Sequence, residues 1–197
     1  MITPRRIEGA NVRIGYFTTA DGTTIRYGLW SPESKNPRGS VVLLSGRKEF
    51  LEKYAETAAD LNQRGFAVFG FDWRGQGLSS RMLPDRLKGF VRNYDDYVRD
   101  LEDFFQRIVQ PEAVRPIYVL AHSMGGHVAL RYLHRQPGDI DKATWTMGGS
   151  GCDKSILMRH MVCLKAPAKG KVFYGDTSFW DTEPEQRDEI MKNIGIL

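Results

Sequence analysis

Short apolar runs alternate with helical stretches over the first three quarters of the chain. Ser40–Leu44 and Phe66–Asp72 are almost uninterrupted apolar segments, a pattern typical of strands that are buried on both faces. Between them, residues 52–64 are predicted to form a helix. A strand over 117–121 and a helix over 124–135 repeat the unit. This alternation predicts an α/β fold with a mostly parallel sheet and helices on both faces.

Two further segments complete the predicted architecture. Val12–Thr19 and Thr23–Trp30 flank the turn pair Asp21-Gly22, which predicts an N-terminal hairpin. Apolar residues recur at three- and four-residue spacing over residues 94–109, which predicts an amphipathic helix. The acidic residues of this segment are expected to form its solvated face: Asp95, Asp96, Asp100, Glu102 and Asp103.

Composition narrows the function classes. The 197 residues, 41% of them apolar, suffice for one sizeable core but not for two full enzyme domains. The net charge of +4 is spread without a basic block, so we expect no nucleic-acid partner and only weak contact with a membrane surface. Cys152 and Cys163 form no CxxC pair, and we expect neither a metal site nor a cofactor. Without a signal peptide or a membrane-length apolar stretch, the chain is expected to be cytoplasmic.

The segment Ala121-His122-Ser123-Met124-Gly125-Gly126 follows a predicted strand and opens a predicted helix. Small residues around Ser123 allow a tight strand-to-helix turn that exposes the serine hydroxyl as a nucleophile. The backbone N–H of Met124, at the positive end of the helix dipole, would then face the oxyanion. The alternative is a serine that caps the helix N-terminus, with glycines that serve packing alone.

Two more motifs follow neighbouring predicted strands and favour the nucleophile. They are Gly46-Arg47-Lys48-Glu49 and Asp72-Trp73-Arg74-Gly75-Gln76-Gly77. With the serine motif, they make residues 15–143 resemble the α/β-hydrolase family, in particular its lysophospholipase and monoacylglycerol-lipase branch. The resemblance implies a truncated α/β-hydrolase-like fold, a lipid or small ester substrate, and the backbone N–H of Arg47 as the second oxyanion donor.

A serine hydrolase of this family also needs an acid and a histidine, in that order after the serine. His127 and His134 lie on the helix that follows Ser123, where packing or surface roles are expected. His160 is the remaining downstream candidate for the general base, with Asp176 or Asp181 as its possible acid. No acid and histidine are recognisable at the family's later positions, so impaired hydrolysis is expected.

A second motif lies downstream of the serine. Residues 148–155 match the phosphate-binding pattern G-x-x-x-x-G-K-[ST], except that Asp153 stands where the last glycine is required. The residues that would contact phosphate or Mg²⁺ are Gly148, Gly149, Ser150, Gly151, Lys154 and Ser155. A carboxylate at Asp153 opposes phosphate binding by like-charge repulsion. The alternative is an ordinary loop after the sixth strand of a hydrolase sheet.

Residues 144–197 around this motif resemble the N-terminal part of an ABC-transporter ATPase, most like those that serve Mla-type lipid transport. The resemblance divides the chain into a hydrolase-like part, 1–143, and an ATPase-like fragment, 144–197, which is expected to dock on the same sheet. Three hypotheses follow: a serine ester hydrolase, a nucleotide-binding fragment with a degraded loop, and a non-catalytic fusion. The hydrolase is favoured because its segment is longer and its motifs are intact.

Overall fold

The computed structural model describes residues 12–146, 173–174, 177–178 and 181–187. The chain divides into two units, Met1–Gly148 and Gly149–Leu197. The predicted boundary after residue 143 lies inside a strand of the first unit, Lys142–Thr146. The assignment of 144–197 to a separate fragment stays a prediction.

A six-stranded sheet forms the centre of the first unit. Its strands are β1 Val12–Thr18, β2 Thr24–Trp30, β3 Gly39–Leu44, β4 Phe66–Phe71, β5 Ile117–His122 and β6 Lys142–Thr146. In spatial order they are β1-β2-β4-β3-β5-β6. β1 and β2 form the predicted hairpin and pair antiparallel, as do β2 and β4, whereas the contiguous strands β4, β3, β5 and β6 are parallel. The mostly parallel sheet is therefore confirmed.

Helices connect the parallel strands. The predicted helix before β4 is a 3₁₀ turn, Leu51–Tyr54, that leads into α1, Ala55–Gln63. The predicted amphipathic helix is α2, Asp95–Phe104, continued by a π-helical turn, Phe105–Val109, and the short α3, Gln110–Glu112. The helix after β5 is α4, Met124–Arg135.

The core lies on both faces of the sheet because successive strand residues point to opposite sides. Val42 and Leu44 of β3 join a large cluster with Leu101 and Phe104 of α2 and with Val128 and Ala129 of α4. Val41 and Leu43 join a smaller cluster with Leu51 and Ala58. Helices therefore cover both faces, as the uninterrupted apolar strands predict.

The prediction that the acidic residues of α2 are solvated is wrong for Asp100. The Asp100 side chain is completely buried and accepts hydrogen bonds from the guanidinium of Arg74, at 2.7 Å from Nε and 2.6 Å from Nη2. A second carboxylate, Asp21, lies 2.7 Å from Arg74 Nη1. An arginine from a distant loop compensates the buried charge, and helical periodicity alone carries no sign of that partner.

In the second unit, β7 (Phe173–Tyr174) and β8 (Thr177–Ser178) form an antiparallel pair. The Ser178 hydroxyl donates to Asp181 Oδ2 at 2.7 Å. Across the described parts of both units, no helix combines the length and the apolar character that crossing a bilayer requires.

The first turn of α4 lies directly against the carboxyl end of β3. A Cβ atom placed on Gly125 would lie 2.4 Å from the carbonyl oxygen of Leu44 and 2.8 Å from that of Ser45. Both neighbours are backbone atoms of a buried strand end and cannot move aside as a flexible side chain could. Gly125 therefore sets how closely the start of α4 approaches the β3 loop.

We expect Gly125→Ala to lower the free energy of unfolding by about 2–3 kcal/mol, because overpacking against backbone forces the helix and strand apart. Gly138→Ala is the matched control, since a Cβ there meets nothing within 4 Å. Chemical denaturation should find the control within about 0.5 kcal/mol of the parent. Equal stability of the two variants would contradict the close approach.

Candidate active site

Ser123 occupies the single-residue turn between β5 and α4. Its backbone has φ 50° and ψ −112°, a conformation that is rare for any residue other than glycine. The side chain is half-buried and its hydroxyl makes no capping hydrogen bond to the helix. The helix-capping alternative for the serine hydroxyl is therefore not what the structure contains. Strain of this kind costs about 1–3 kcal/mol and is typical of functional positions.

The loop after β3 lies beside this turn. β3 and β5 are parallel neighbours, with Leu44 paired to Ala121, so their carboxyl ends emerge side by side. A Cβ atom placed on Gly46 would lie 2.8 Å from Cδ2 of His122. After β4 the chain crosses β3 to reach β5, so the strand order reverses here. Open α/β sheets bind ligands at such a crevice.

Two backbone N–H groups at this edge are available as donors. Met124 is the first residue of α4, and its N–H donates to no acceptor in the described part of the chain. The same holds for the N–H of Arg47 in the β3 loop. The amino end of a helix carries partial positive charge, which favours an anion near Met124. The arrangement offers a nucleophile and two candidate oxyanion donors.

The loop after β4, Asp72–Ser79, supports this edge of the sheet. Asp72 is fully buried and accepts hydrogen bonds from the N–H groups of Leu51 and Leu78, each at 2.9 Å. Gly77 has φ 48°, and a Cβ atom there would lie 2.1 Å from Cγ of Asp72. The acid and the glycine of the motif are therefore needed together, because the backbone folds tightly around the carboxylate.

Comparison with known proteins agrees with this geometry. The profile of the family described as serine aminopeptidase, S33, matches residues 35–170. The chain belongs to this family of α/β hydrolases. Its match extends beyond residue 143 and includes residues 148–155.

The chain is similar to two curated proteins that are named as a lysophospholipase and a monoacylglycerol lipase. It is 42% identical over 130 residues to lysophospholipase L2 of Escherichia coli (strain K12), covering 66% of this chain and 38% of that protein. It is 31% identical over 123 residues to the monoacylglycerol lipase of Mycolicibacterium smegmatis, covering 62% and 42%. The chain therefore spans about two fifths of the length of these relatives.

Among solved structures, the carboxyl esterase of Bacillus coagulans has the same fold. The TM-score is 0.61 at 22% identity, over 79% of this chain and 51% of that one. This likeness confirms the α/β-hydrolase fold, and the structure it matches is about twice the length of the aligned part.

Some of the predicted site residues lie within the described part of the chain, and others lie outside it. Ser123, Met124 and Arg47 lie together at the carboxyl edge of the sheet. The His127 ring packs on Tyr94, with ring centroids 4.9 Å apart, and His134 is exposed on α4, as their expected packing and surface roles require. The remaining candidates lie outside the described residues: His160 and Asp176, and Gly148, Gly149, Ser150, Gly151, Lys154 and Ser155.

Glu49 is part of the Gly46–Glu49 motif, but the sequence alone indicates no role for it. Its Oε2 accepts hydrogen bonds from the Gly46 N–H at 2.7 Å and from the Tyr54 hydroxyl at 2.6 Å, and its Oε1 lies 3.3 Å from Lys53 Nζ. Burial opposes ionisation, but these donors outweigh it and hold the pKa of Glu49 below its ordinary value. The carboxylate thereby closes the loop on which Arg47 lies.

Glu49→Gln should lower the free energy of unfolding by about 1–2 kcal/mol at pH 7, because charged hydrogen bonds become neutral ones. The pKa of Glu49 is depressed in the folded protein, so its contribution is present above the unfolded pKa and lost as the pH falls through the folded pKa. The difference in stability between the parent and the variant should therefore shrink once the pH falls below the ordinary pKa of 4.5. Urea titrations at pH 7, 5 and 3 measure this; a constant difference across the three would contradict it.

Proposed function

We propose that this hydrolase is a serine ester hydrolase that acts on lysophospholipids or monoacylglycerols, with Ser123 as its nucleophile. One observation carries the proposal: Ser123 holds a strained backbone conformation while its hydroxyl leaves the helix end uncapped. A serine that served only as a cap would use that hydroxyl and would need no positive φ. The strain instead supports exposure of a reactive group at the strand edge.

In this proposal, Ser123 Oγ attacks the acyl carbonyl carbon and its proton passes to a general base. The carbonyl oxygen becomes an oxyanion that accepts hydrogen bonds from the N–H groups of Met124 and Arg47. Collapse of the tetrahedral intermediate releases the alcohol, which takes the proton from the base, and leaves an acyl-serine ester. The base then takes a proton from a water molecule, which attacks the acyl carbonyl carbon. Collapse of this second tetrahedral intermediate releases the carboxylic acid and returns the proton to Ser123 Oγ.

The base is the weakest part of the site within the 197 residues. His160 is proposed for this role because it is the remaining histidine downstream of Ser123. Its possible acids, Asp176 and Asp181, follow it, so the histidine and the acid would occur in the reverse of the family's order. Without a well-placed base, the Ser123 hydroxyl is a weak nucleophile, because it keeps its proton at neutral pH. Weak but measurable turnover is the expected result for this chain.

Ser123→Ala should abolish turnover of a short activated ester such as p-nitrophenyl butyrate, because no other nucleophile is proposed. Ser34→Ala is a matched control, since Ser34 lies in an exposed loop between β2 and β3. Turnover that survives Ser123→Ala would sink the proposal. Loss of activity in His160→Ala, with stability unchanged, would identify the base.

The substrate class rests on similarity to enzymes named lysophospholipase and monoacylglycerol lipase. It is tested by comparing kcat/KM for a lysophosphatidylcholine and a monoacylglycerol of equal chain length. We expect the kcat/KM of both esters to exceed that of an aminoacyl p-nitroanilide, because the relatives are named as a lysophospholipase and a monoacylglycerol lipase. Preference for the anilide would assign a peptidase instead.

A second candidate function is nucleotide binding at residues 148–155, favoured by the Lys154-Ser155 pair after a glycine-rich run. The ABC-ATPase resemblance of residues 144–197 belongs to this proposal. The family match of residues 35–170 includes the same loop and supports the competing interpretation, a hydrolase loop after β6.

Asp153→Gly separates the two interpretations. If only Asp153 damages the loop, the variant should bind Mg-ATP measurably in calorimetric titration, because a negative charge and a side chain are removed from the phosphate site. Hydrolysis should not return, since the other catalytic parts of an ATPase are missing from the sequence. Lys154→Ala in the Asp153→Gly background is the control. Absence of binding in all variants would leave the loop as part of the hydrolase.

A further inference from the structure

The β3 loop, residues 45–49, is held from outside by the loop after β4. The indole Nε1 of Trp73 donates to the carbonyl oxygen of Ser45 at 2.8 Å, and the backbone N–H of Lys48 donates to Oε1 of Gln76. Both side chains are buried, Trp73 fully and Gln76 to 4% exposure. These two hydrogen bonds hold the loop on either side of Arg47.

One of these hydrogen bonds is made by Lys48, whose backbone is strained. Lys48 has φ 64°, in the left-handed region that is unfavourable for a residue with a side chain. The Gln76 carboxamide accepts the N–H of that same residue. A buried acceptor in a fixed position can therefore select the left-handed conformation over the extended one that Lys48 would otherwise prefer.

The selected conformation determines which N–H groups of the loop remain available. The Gly46 N–H is bound by Glu49 and the Lys48 N–H by Gln76, whereas the Arg47 N–H between them donates to no described residue. If Lys48 relaxed, the peptide plane between Arg47 and Lys48 would rotate, and the plane that carries the Arg47 N–H is joined to it at the Arg47 Cα atom. The Arg47 N–H would then lose its direction.

We propose that Gln76 is a positioning residue that fixes the β3 loop so that the Arg47 N–H can serve as an oxyanion donor. This role rests on the proposed function of Ser123. Gln76 itself touches neither substrate nor nucleophile, and it acts through the Lys48 backbone. The buried Tyr97 of α2 lies beside the Gln76 side chain.

Gln76→Met removes the strong acceptor and keeps the side-chain length, while Gln76→Glu keeps an acceptor at the same distance. Asn62→Leu is the matched control. Its amide donates to the carbonyl oxygens of Phe66 and Trp30, at the amino end of β4 and therefore at the opposite edge of the sheet from Ser123. The control measures what loss of a partly buried side-chain amide does to the fold in general.

Two readouts separate positioning from plain destabilisation. Hydrogen exchange of the peptide covering residues 45–50 should be at least tenfold faster in Gln76→Met than in the parent, in Gln76→Glu or in Asn62→Leu. The kcat for p-nitrophenyl butyrate should fall about 10- to 100-fold in Gln76→Met with KM within twofold, because only the transition state uses the oxyanion donor. Inhibition by a trifluoromethyl ketone, which forms a tetrahedral adduct, should weaken by the same factor.

Each result of the exchange and turnover measurements either supports or overturns the proposal. Unchanged exchange at residues 45–50 in Gln76→Met overturns the proposal whatever the activity. Faster exchange with unchanged kcat, while turnover still depends on Ser123, also overturns it. Turnover that does not depend on Ser123 overturns the proposed function instead, and the exchange measurement then decides the loop-holding role of Gln76 by itself.

Discussion

The close approach of the first turn of α4 to the carboxyl end of β3 is the constraint on which the candidate site depends. Only a residue without a Cβ fits at Gly125, against the carbonyl oxygens of Leu44 and Ser45. Because the helix begins so close to the sheet, the chain leaving β5 turns within one residue, and Ser123 takes a positive φ. Burial of Val128 and Ala129 against the core compensates the cost of that turn.

Buried charges stabilise the surrounding loops in defined positions more than they add to the total stability. Arg26 lies 3.2 Å from Asp72 and 2.7 Å from Glu52, and Arg74 is bound by Asp100 and Asp21. Desolvation of such pairs offsets most of their attraction, but removing one partner costs about 3–5 kcal/mol. The loop after β4 therefore has one well-defined arrangement, and it imposes that arrangement on the loop after β3.

The proposed nucleophile and oxyanion donors come from consecutive parts of one sheet. Ser123 and Met124 follow β5, Arg47 follows β3, and the residues that support them follow β4. Their geometry needs no residue beyond α4. The general base has a different origin, because in this family it comes from a later loop, and His160 lies outside the described residues. Of the proposed site, the nucleophile and the oxyanion donors lie within the described residues, whereas the proposed base does not.

The sequence by itself determined the strand positions, the hairpin, the parallel sheet and the turn at Ser123. Each of these depends on local periodicity, or on small residues at fixed spacing, which a linear pattern contains. The partners of the buried polar groups were decided by tertiary structure alone. Asp100 was predicted to be solvated because its spacing puts it among acidic neighbours, yet Arg74, 26 positions away, makes its burial possible. Gln76 stands in a recognisable motif, but the Lys48 N–H that it binds becomes its neighbour only when β3 and β4 lie side by side. The partners of Glu49, which are Gly46, Lys53 and Tyr54, are near it in sequence, and the local fold of the loop after β3 brings them together.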